Sequence, residues 1–294
     1  MSLAFRLKMA KQKGEACAKG QGYTALPVDP IAIATRNDIE VKAKPDAAEG
    51  VSGMLLRHGN EFCIAYATHI ASEGFQRFSI AHELGHYFLD GHVDHVLKDG
   101  VHVSEAGFTS ADPYEMEADQ FAAGLLMPGS LFNGALRKHD AGLATVEAMA
   151  TLCRTSLTAT GIRCAELSDD ALAVIISTGG AIDFCFLSNP MKTLPQLSWL
   201  RKSTPVPIGT LTARFNADRR RVLAGERAAE EIDVMDWLGG TRSARVTEEV
   251  VGLGRYGKTL TVLSSEVIGQ ELSELDDESE DDDLRDRWTP RFRT

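Results

Sequence analysis

Cysteine is scarce and badly placed for cross-linking. The 294 residues hold five (Cys17, Cys63, Cys153, Cys164 and Cys185), an odd number, widely spaced, with no C-x-x-C pair. This excludes a disulfide framework and a cysteine zinc knuckle, and it reads as reduced thiols in a cytosolic protein. No apolar run approaches the roughly 20 residues that span a bilayer. The first 20 residues carry Arg6, Lys8, Lys11 and Lys13 but no continuous apolar stretch, so a secretory leader is not expected. Repeats at solenoid periods are absent as well. Positive charge is in deficit, with 31 Lys and Arg against 42 Asp and Glu and a net charge of −11. Nine of those acids fall between Glu271 and Asp283, where there is no Lys or Arg. The rest of the chain is close to neutral, so overall charge neither favours nor excludes a nucleic-acid partner. What remains is 44% apolar and 25% charged, enough apolar mass for a sizeable core.

Hydrophobic periodicity divides the chain. An amphipathic helix occupies the N-terminus. Pro27-Val28-Asp29-Pro30 opens a second helix through about Thr35, and Ile39 to Ala43 alternates as a strand. Two β-rich runs, Gly53 to Arg57 and Glu61 to Ala67, flank His58-Gly59-Asn60 as a hairpin. Phe78, Ala81, Leu84, Gly85 and Phe88 recur at helical spacing within a helix from about Glu73 to Asp90, stopped by Gly91. His92 to Ala111 reads as a polar loop. Asp112-Pro113 then caps a helix with one apolar stripe, Tyr114, Ala118, Phe121 and Leu125. Two short helices follow between Leu143 and Leu167. Beyond Ser168 the sequence turns strand-rich: a hairpin from Ala171 to Ser188, a helix around Ala224 to Leu238, and a hairpin from Arg245 to Ser264. The domains expected are therefore 1–167, an α+β module over 168–270, and an acidic, solvated tail over 271–294.

The chemistry lies in His82-Glu83-Leu84-Gly85-His86, an H-E-x-x-H within a predicted helix. Residues four apart share a helix face, so His82 and His86 can offer ring nitrogens to one ion. Glu83 lies about 100° round the helix, placed to reach a metal-activated water without ligating the metal. That spacing serves metal-assisted hydrolysis with Glu83 as general base. A catalytic zinc takes three protein ligands. His92 stands ten residues after His82, at the outer spacing of a metzincin, but Leu89 replaces the central glycine of that pattern. Glu115 is the other candidate, with Asp119 one turn on to orient a ligand histidine. Glu117 lies about 200° from Glu115 on that helix, so the two cannot serve one ion. Three residues after Asp112, Glu115 could instead close a capping box.

The segment Gln76 to Tyr87, followed by Glu115-Met116-Glu117-Ala118-Asp119-Gln120-Phe121-Ala122-Ala123-Gly124-Leu125-Leu126-Met127-Pro128, resembles the ImmA/IrrE family of zinc metallopeptidases. The second block matches that family's E-x-x-A-[ND]-x-F-A…L-L-M-P signature, whose leading Glu is the third ligand. The resemblance spans about residues 5 to 165. It implies a zincin-like minimal unit, with a small antiparallel sheet, the H-E-x-x-H helix and the helix bearing the Glu. Its implied ligands are His82, His86 and Glu115 on Zn²⁺, with Glu83 catalytic. It also implies site-specific cleavage of a protein partner, often a helix-turn-helix transcriptional repressor, in transcription regulation and stress response in the cytoplasm.

An extended substrate would pair with an edge strand, for which the Gly53–Ala67 hairpin is the candidate. Tyr114, His102, His95 and several arginines could stabilise the developing oxyanion, and the sequence does not choose among them. Tyr87 reads as packing. The helices between Thr145 and Leu167 outline a helix-turn-helix, yet Arg154 and Arg163 offer few phosphate contacts, so direct nucleic-acid binding is not expected. Arg214, Arg219, Arg220, Arg221 and Arg227 form a basic cluster on which the acidic tail could dock. The competing reading is a non-catalytic metal-binding regulator, or a DNA- or partner-binding protein.

Overall fold

A computed structural model describes residues 2–45, 50–105, 110–265 and 268. The acidic run from Glu271 and its proposed docking lie outside them. Helix α1 (Leu3–Gly20) is capped by Ser2. Asp29 caps α2 (Pro30–Arg36), accepting from the Ile31 and Ala32 amides with Pro30 in the first turn. The first sheet contains β1 (Ile39–Lys44), β2 (Val51–His58) and β3 (Glu61–Ala67). Helix α3 (Glu73–Phe88), capped by Ser72, crosses this sheet.

The stretch read as a loop folds into α4 (His92–Val96) and a fourth strand, β4 (Val101–Glu105). Helix α3 ends at Phe88, and Gly91, at φ +78°, opens α4 instead of closing α3. The strand order is β1-β3-β2-β4, antiparallel except for β1, which runs parallel to β3. The β2–β3 hairpin is therefore central, and β4 is the edge beside β2. That corrects the expectation that the hairpin would receive substrate.

Asp112 caps α5 (Pro113–Leu126), accepting from the Tyr114 amide at 2.9 Å. Helix α5 packs against α3 and, more extensively, against α1. α1 and α5 approach so closely that a Cβ on Gly14 would lie 2.1 Å from the Phe121 carbonyl oxygen. Next come α6 (Gly129–Leu136), α7 (Leu143–Cys153) and α8 (Leu157–Leu167).

The second sheet has order β6-β5-β9-β8-β7 and is antiparallel throughout. It begins with the hairpin β5 (Ala171–Thr178) and β6 (Ala181–Leu187), followed by α9 (Asn189–Lys192), α10 (Leu211–Ala217) and α11 (Arg219–Ala224). Then come β7 (Arg227–Asp233), α12 (Val234–Leu238), β8 (Arg245–Gly252) and β9 (Thr259–Ser265). The helix expected over 224–238 is thus divided, with strand β7 over Arg227–Asp233 and helix only in α12, Val234–Leu238. Gly225, left-handed at φ +68°, ends α11, and pairing with β8 overrides the helix preference of its Ala and Glu residues.

Both faces of this sheet are covered. Leu172, Val174, Ile176, Leu260 and Val262 join Val146 and Cys164 in a core continuous with α3 and α5. Ala171, Ala173, Ile175 and Leu263 pack with Met191, Trp237 and Leu238 in a second cluster. The first core thus runs across residue 168 without a break. The fold class is α+β, as read from the sequence.

Candidate metal centre

Helix α3 delivers His82 and His86 one turn apart, and both are buried. Gly85 lets α5 come close, since a Cβ there would sit 3.1 Å from the Ala118 Cα. At that crossing α5 presents Glu115. The His82 and His86 Nε2 atoms are 3.1 Å apart, and Glu115 reaches them at 3.2 and 3.3 Å. A tetrahedral ion with bonds of about 2.0–2.1 Å separates its ligand atoms by about 3.3 Å. Two ring nitrogens and a carboxylate at these separations therefore fit a zinc ion, and the borderline-soft N/O donor set suits it. Without a cation or a proton between them, two bare lone pairs at 3.1 Å would repel. Burial works against a charged His82, but hydrogen bonds to Asp119 and Glu115 overcome it and raise the pKa to about 10. Burial and neighbouring His82 lower His86 to about 3. Burial likewise opposes ionisation of Glu115, yet three facing imidazoles hold it well below the carboxylate range. The cluster is built around one positive charge.

A fourth member was not read as part of the ligand cluster. His102, on β4, places Nε2 3.1 Å from Glu115, and the donor atoms of His82, His86, His102 and Glu115 all lie within 4.8 Å of one another. Ser104 Oγ, also on β4, donates to Glu83 Oε1 at 2.6 Å and lies 3.2 Å from His102 Nε2. With its proton committed to Glu83, the Ser104 oxygen accepts; so does Glu115. Both neighbours of His102 Nε2 are then acceptors, which makes that nitrogen an N–H donor.

Glu83 is fully buried. Its Oε1 is fixed by Ser104, while Oε2 has no hydrogen-bond partner. Gly53 of β2 makes its space, since a Cβ there would meet Glu83 Oε1 at 2.7 Å. Burial raises the Glu83 pKa, only partly opposed by His82 and Ser104. A raised carboxylate with one bare oxygen is suited to accept and return a proton.

Behind the cluster, Asp119 Oδ1 lies 2.9 Å from His82 Nδ1. The alternative ligand candidates also have places. His92 and Glu117 face His86 from behind, with His92 Nδ1 3.2 Å from His86 Nδ1 and His92 Nε2 3.0 Å from Glu117. The capping-box possibility for Glu115 fails, because its carboxylate is turned into the imidazoles. Tyr114 is turned away and stacks on His95 with ring centroids 3.8 Å apart. Tyr87 packs edge-on against Phe62.

The α7–α8 pair presents little cation to a phosphate. Arg163 is buried, bound to Glu15, Glu166 and the Met127 carbonyl, and Arg154 pairs with Glu73. Within the basic cluster of the second module, Arg214, Arg220, Arg221 and Arg227 pair with Glu230, Asp218, Glu226 and Glu147. Among the described residues, no helix is long and apolar enough to cross a membrane.

No curated protein matches the chain. Among solved structures, a Mycobacterium tuberculosis transcriptional regulator shares the fold, with a TM-score of 0.55 at 13% identity, covering 89% of this chain and 78% of that one. Residues 34–164 match the family model described as the IrrE N-terminal-like domain, Peptidase_M78. The match encloses all four residues of the cluster, Glu83 and both sequence blocks, so the segment that builds the cluster is similar to the IrrE N-terminal-like peptidase family.

Proposed function

We propose that the protein is a zinc-dependent endopeptidase that cleaves a specific intracellular protein, of the helix-turn-helix repressor kind, in the cytoplasm. The observation that carries this reading is the mutual approach of His82, His86 and Glu115 at 3.1–3.3 Å beside a buried Glu83 with one unpartnered oxygen. His82, His86 and Glu115 would hold the ion, and Asp119 would fix the His82 ring through Nδ1. Bound there, zinc supplies a Lewis acid that polarises the scissile carbonyl and acidifies water.

The remaining work falls to the chain. Glu83 Oε2 takes a proton from the water as its oxygen attacks the carbonyl carbon. The C–N bond then breaks, and the same oxygen returns the proton to the departing amine. Ser104 keeps the carboxylate in one orientation throughout. His102, as an N–H donor on the edge strand, meets the carbonyl oxygen where negative charge develops. Edge strand β4 is the place for an extended substrate to pair, because β2 and β3 have both edges taken.

The test is to incubate the zinc-loaded protein, with and without chelator, with the product of a neighbouring repressor gene. Cleavage should require zinc and vanish in Glu83→Gln, which keeps the ligands. Cleavage by Glu83→Gln would overturn the peptidase mechanism. Zinc-dependent binding without any cutting by the wild type would favour a non-catalytic regulator.

A further inference from the structure

His86 is held from behind by a chain of side chains that ends on α1, outside the family-matched segment. Arg6 grips both oxygens of Glu117, Nε to Oε1 at 2.6 Å and Nη2 to Oε2 at 2.8 Å. Glu117 Oε2 meets His92 Nε2 at 3.0 Å, and His92 Nδ1 meets His86 Nδ1 at 3.2 Å. His86 Nε2 then faces His82 and Glu115. His86 and His92 are buried, Glu117 nearly so, while Arg6 is partly exposed on a cleft of about 480 Å³. The Tyr114 ring steadies the outer end, with the Arg6 guanidinium 5.3 Å from its centroid.

We propose that Arg6, Glu117 and His92 form a relay that fixes the tautomer of His86, making α1 a positioning element of the metal centre. This rests on the reading of His86 as a ligand.

The protons have one consistent placement. A guanidinium only donates, and an ionised carboxylate only accepts. Glu117, clamped by Arg6, therefore accepts from His92 Nε2–H. A neutral imidazole has a single N–H, so His92 Nδ1 is a lone pair. His86 Nδ1 must donate to it, and the His86 lone pair is left on Nε2, aimed into the cluster. His82 is oriented by one carboxylate directly, Asp119; for His86 the carboxylate stands one imidazole further back. That distance explains why the sequence offered His92 and Glu117 as ligands. They have ligand chemistry, spent on holding a ligand.

The experiment uses the full chain labelled with ¹⁵N-histidine, freed of metal by chelator, and its zinc affinity by competition with a chromophoric chelator. His86 should appear as the Nδ1–H tautomer. Glu117→Leu should shift the His86 ring signals and weaken zinc binding by about 10–100-fold. Arg6→Met, a change at a partly exposed site whose folding is checked by circular dichroism, should weaken it less, and should add nothing in the Glu117→Leu background. Lys13→Met, which breaks the Lys13–Asp90 pair on the same helix, should leave affinity unchanged. An Nε2–H tautomer at His86, or a Glu117→Leu affinity within about twofold of wild type, overturns the relay. A wild type that binds no zinc but shows the Nδ1–H tautomer sinks the metal reading and leaves the relay standing.

Discussion

Replacing Gly14 with alanine sets two opposed effects against each other. Gly14 lies inside α1 without a positive φ, so alanine should favour the helix by up to about 1 kcal/mol. The new methyl, however, would sit 2.1 Å from the Phe121 carbonyl oxygen and 2.8 Å from the Leu125 amide nitrogen. Both are backbone atoms of a packed helix, which no rotamer change can move. The helices would have to part by about 1 Å along an interface where Ala10 and Ala18 are also buried. Overpacking of this kind costs about 1–3 kcal/mol, and a backbone clash belongs at the upper end. The net expectation is a loss of about 2 kcal/mol. For a chain of 294 residues that lowers Tm by roughly 3 °C. Gly134 supplies the control. It is exposed in α6, with nothing within 4 Å of the added Cβ, so Gly134→Ala should stabilise by about 0.5–1 kcal/mol. Calorimetry of both variants at one pH decides the matter. A Gly14→Ala protein that melts at or above the wild-type temperature would refute the close approach of α1 to α5.

Three further expectations follow from the same geometry. His102→Ala should reduce turnover of the cleaved partner about 10²–10³-fold while zinc affinity stays near wild type; a loss of zinc binding would make His102 a ligand. Glu166 is held below its usual 4.5, because Lys11 and Arg163 together outweigh the burial that opposes ionisation. A depressed folded pKa gives stability present above pH 4.5 and lost as pH falls through the folded value. The urea midpoint should thus drop on acidification from pH 7 to pH 3, and drop less in Lys11→Met, which should begin lower at pH 7. Burial pushes the Cys153, Cys164 and Cys185 thiols up to about 12 and Cys17 to about 11. These four should resist iodoacetamide at pH 8 in the native protein and react once it is denatured, and fast native labelling of Cys153 or Cys164 would contradict their burial.

Much of the candidate site is legible in the sequence, for a local reason. The turn of an α-helix fixes which residues share a face, so H-E-x-x-H places two imidazoles together wherever a helix forms. The Asp29-Pro30 and Asp112-Pro113 pairs likewise marked helix starts that the fold keeps. Strand β4 escaped notice because its alternation is inverted. Val101 and Val103 face outward, nearly half exposed, while His102 and Ser104 face the cluster. An edge strand over a polar site hides its polar side, and a reading that buries the apolar side sees only a loop. Strand β7 escaped for the opposite reason, since Arg227-Ala-Ala-Glu-Glu has helical composition and becomes strand only by pairing with β8.

By itself, then, the sequence determined the α+β class, the helix carrying His82, Glu83 and His86, and a second helix with Glu115 among its acids. Tertiary structure decided which acid turned toward the imidazoles, that His102 and Ser104 joined them, and that His92, Glu117 and Arg6 lined up behind. The first set depends on geometry repeated every few residues along one backbone. The second depends on the crossing of α3 with α5, the packing of α1 on α5, and the pairing of β4 with β2, contacts between segments far apart in the chain whose register no local pattern records.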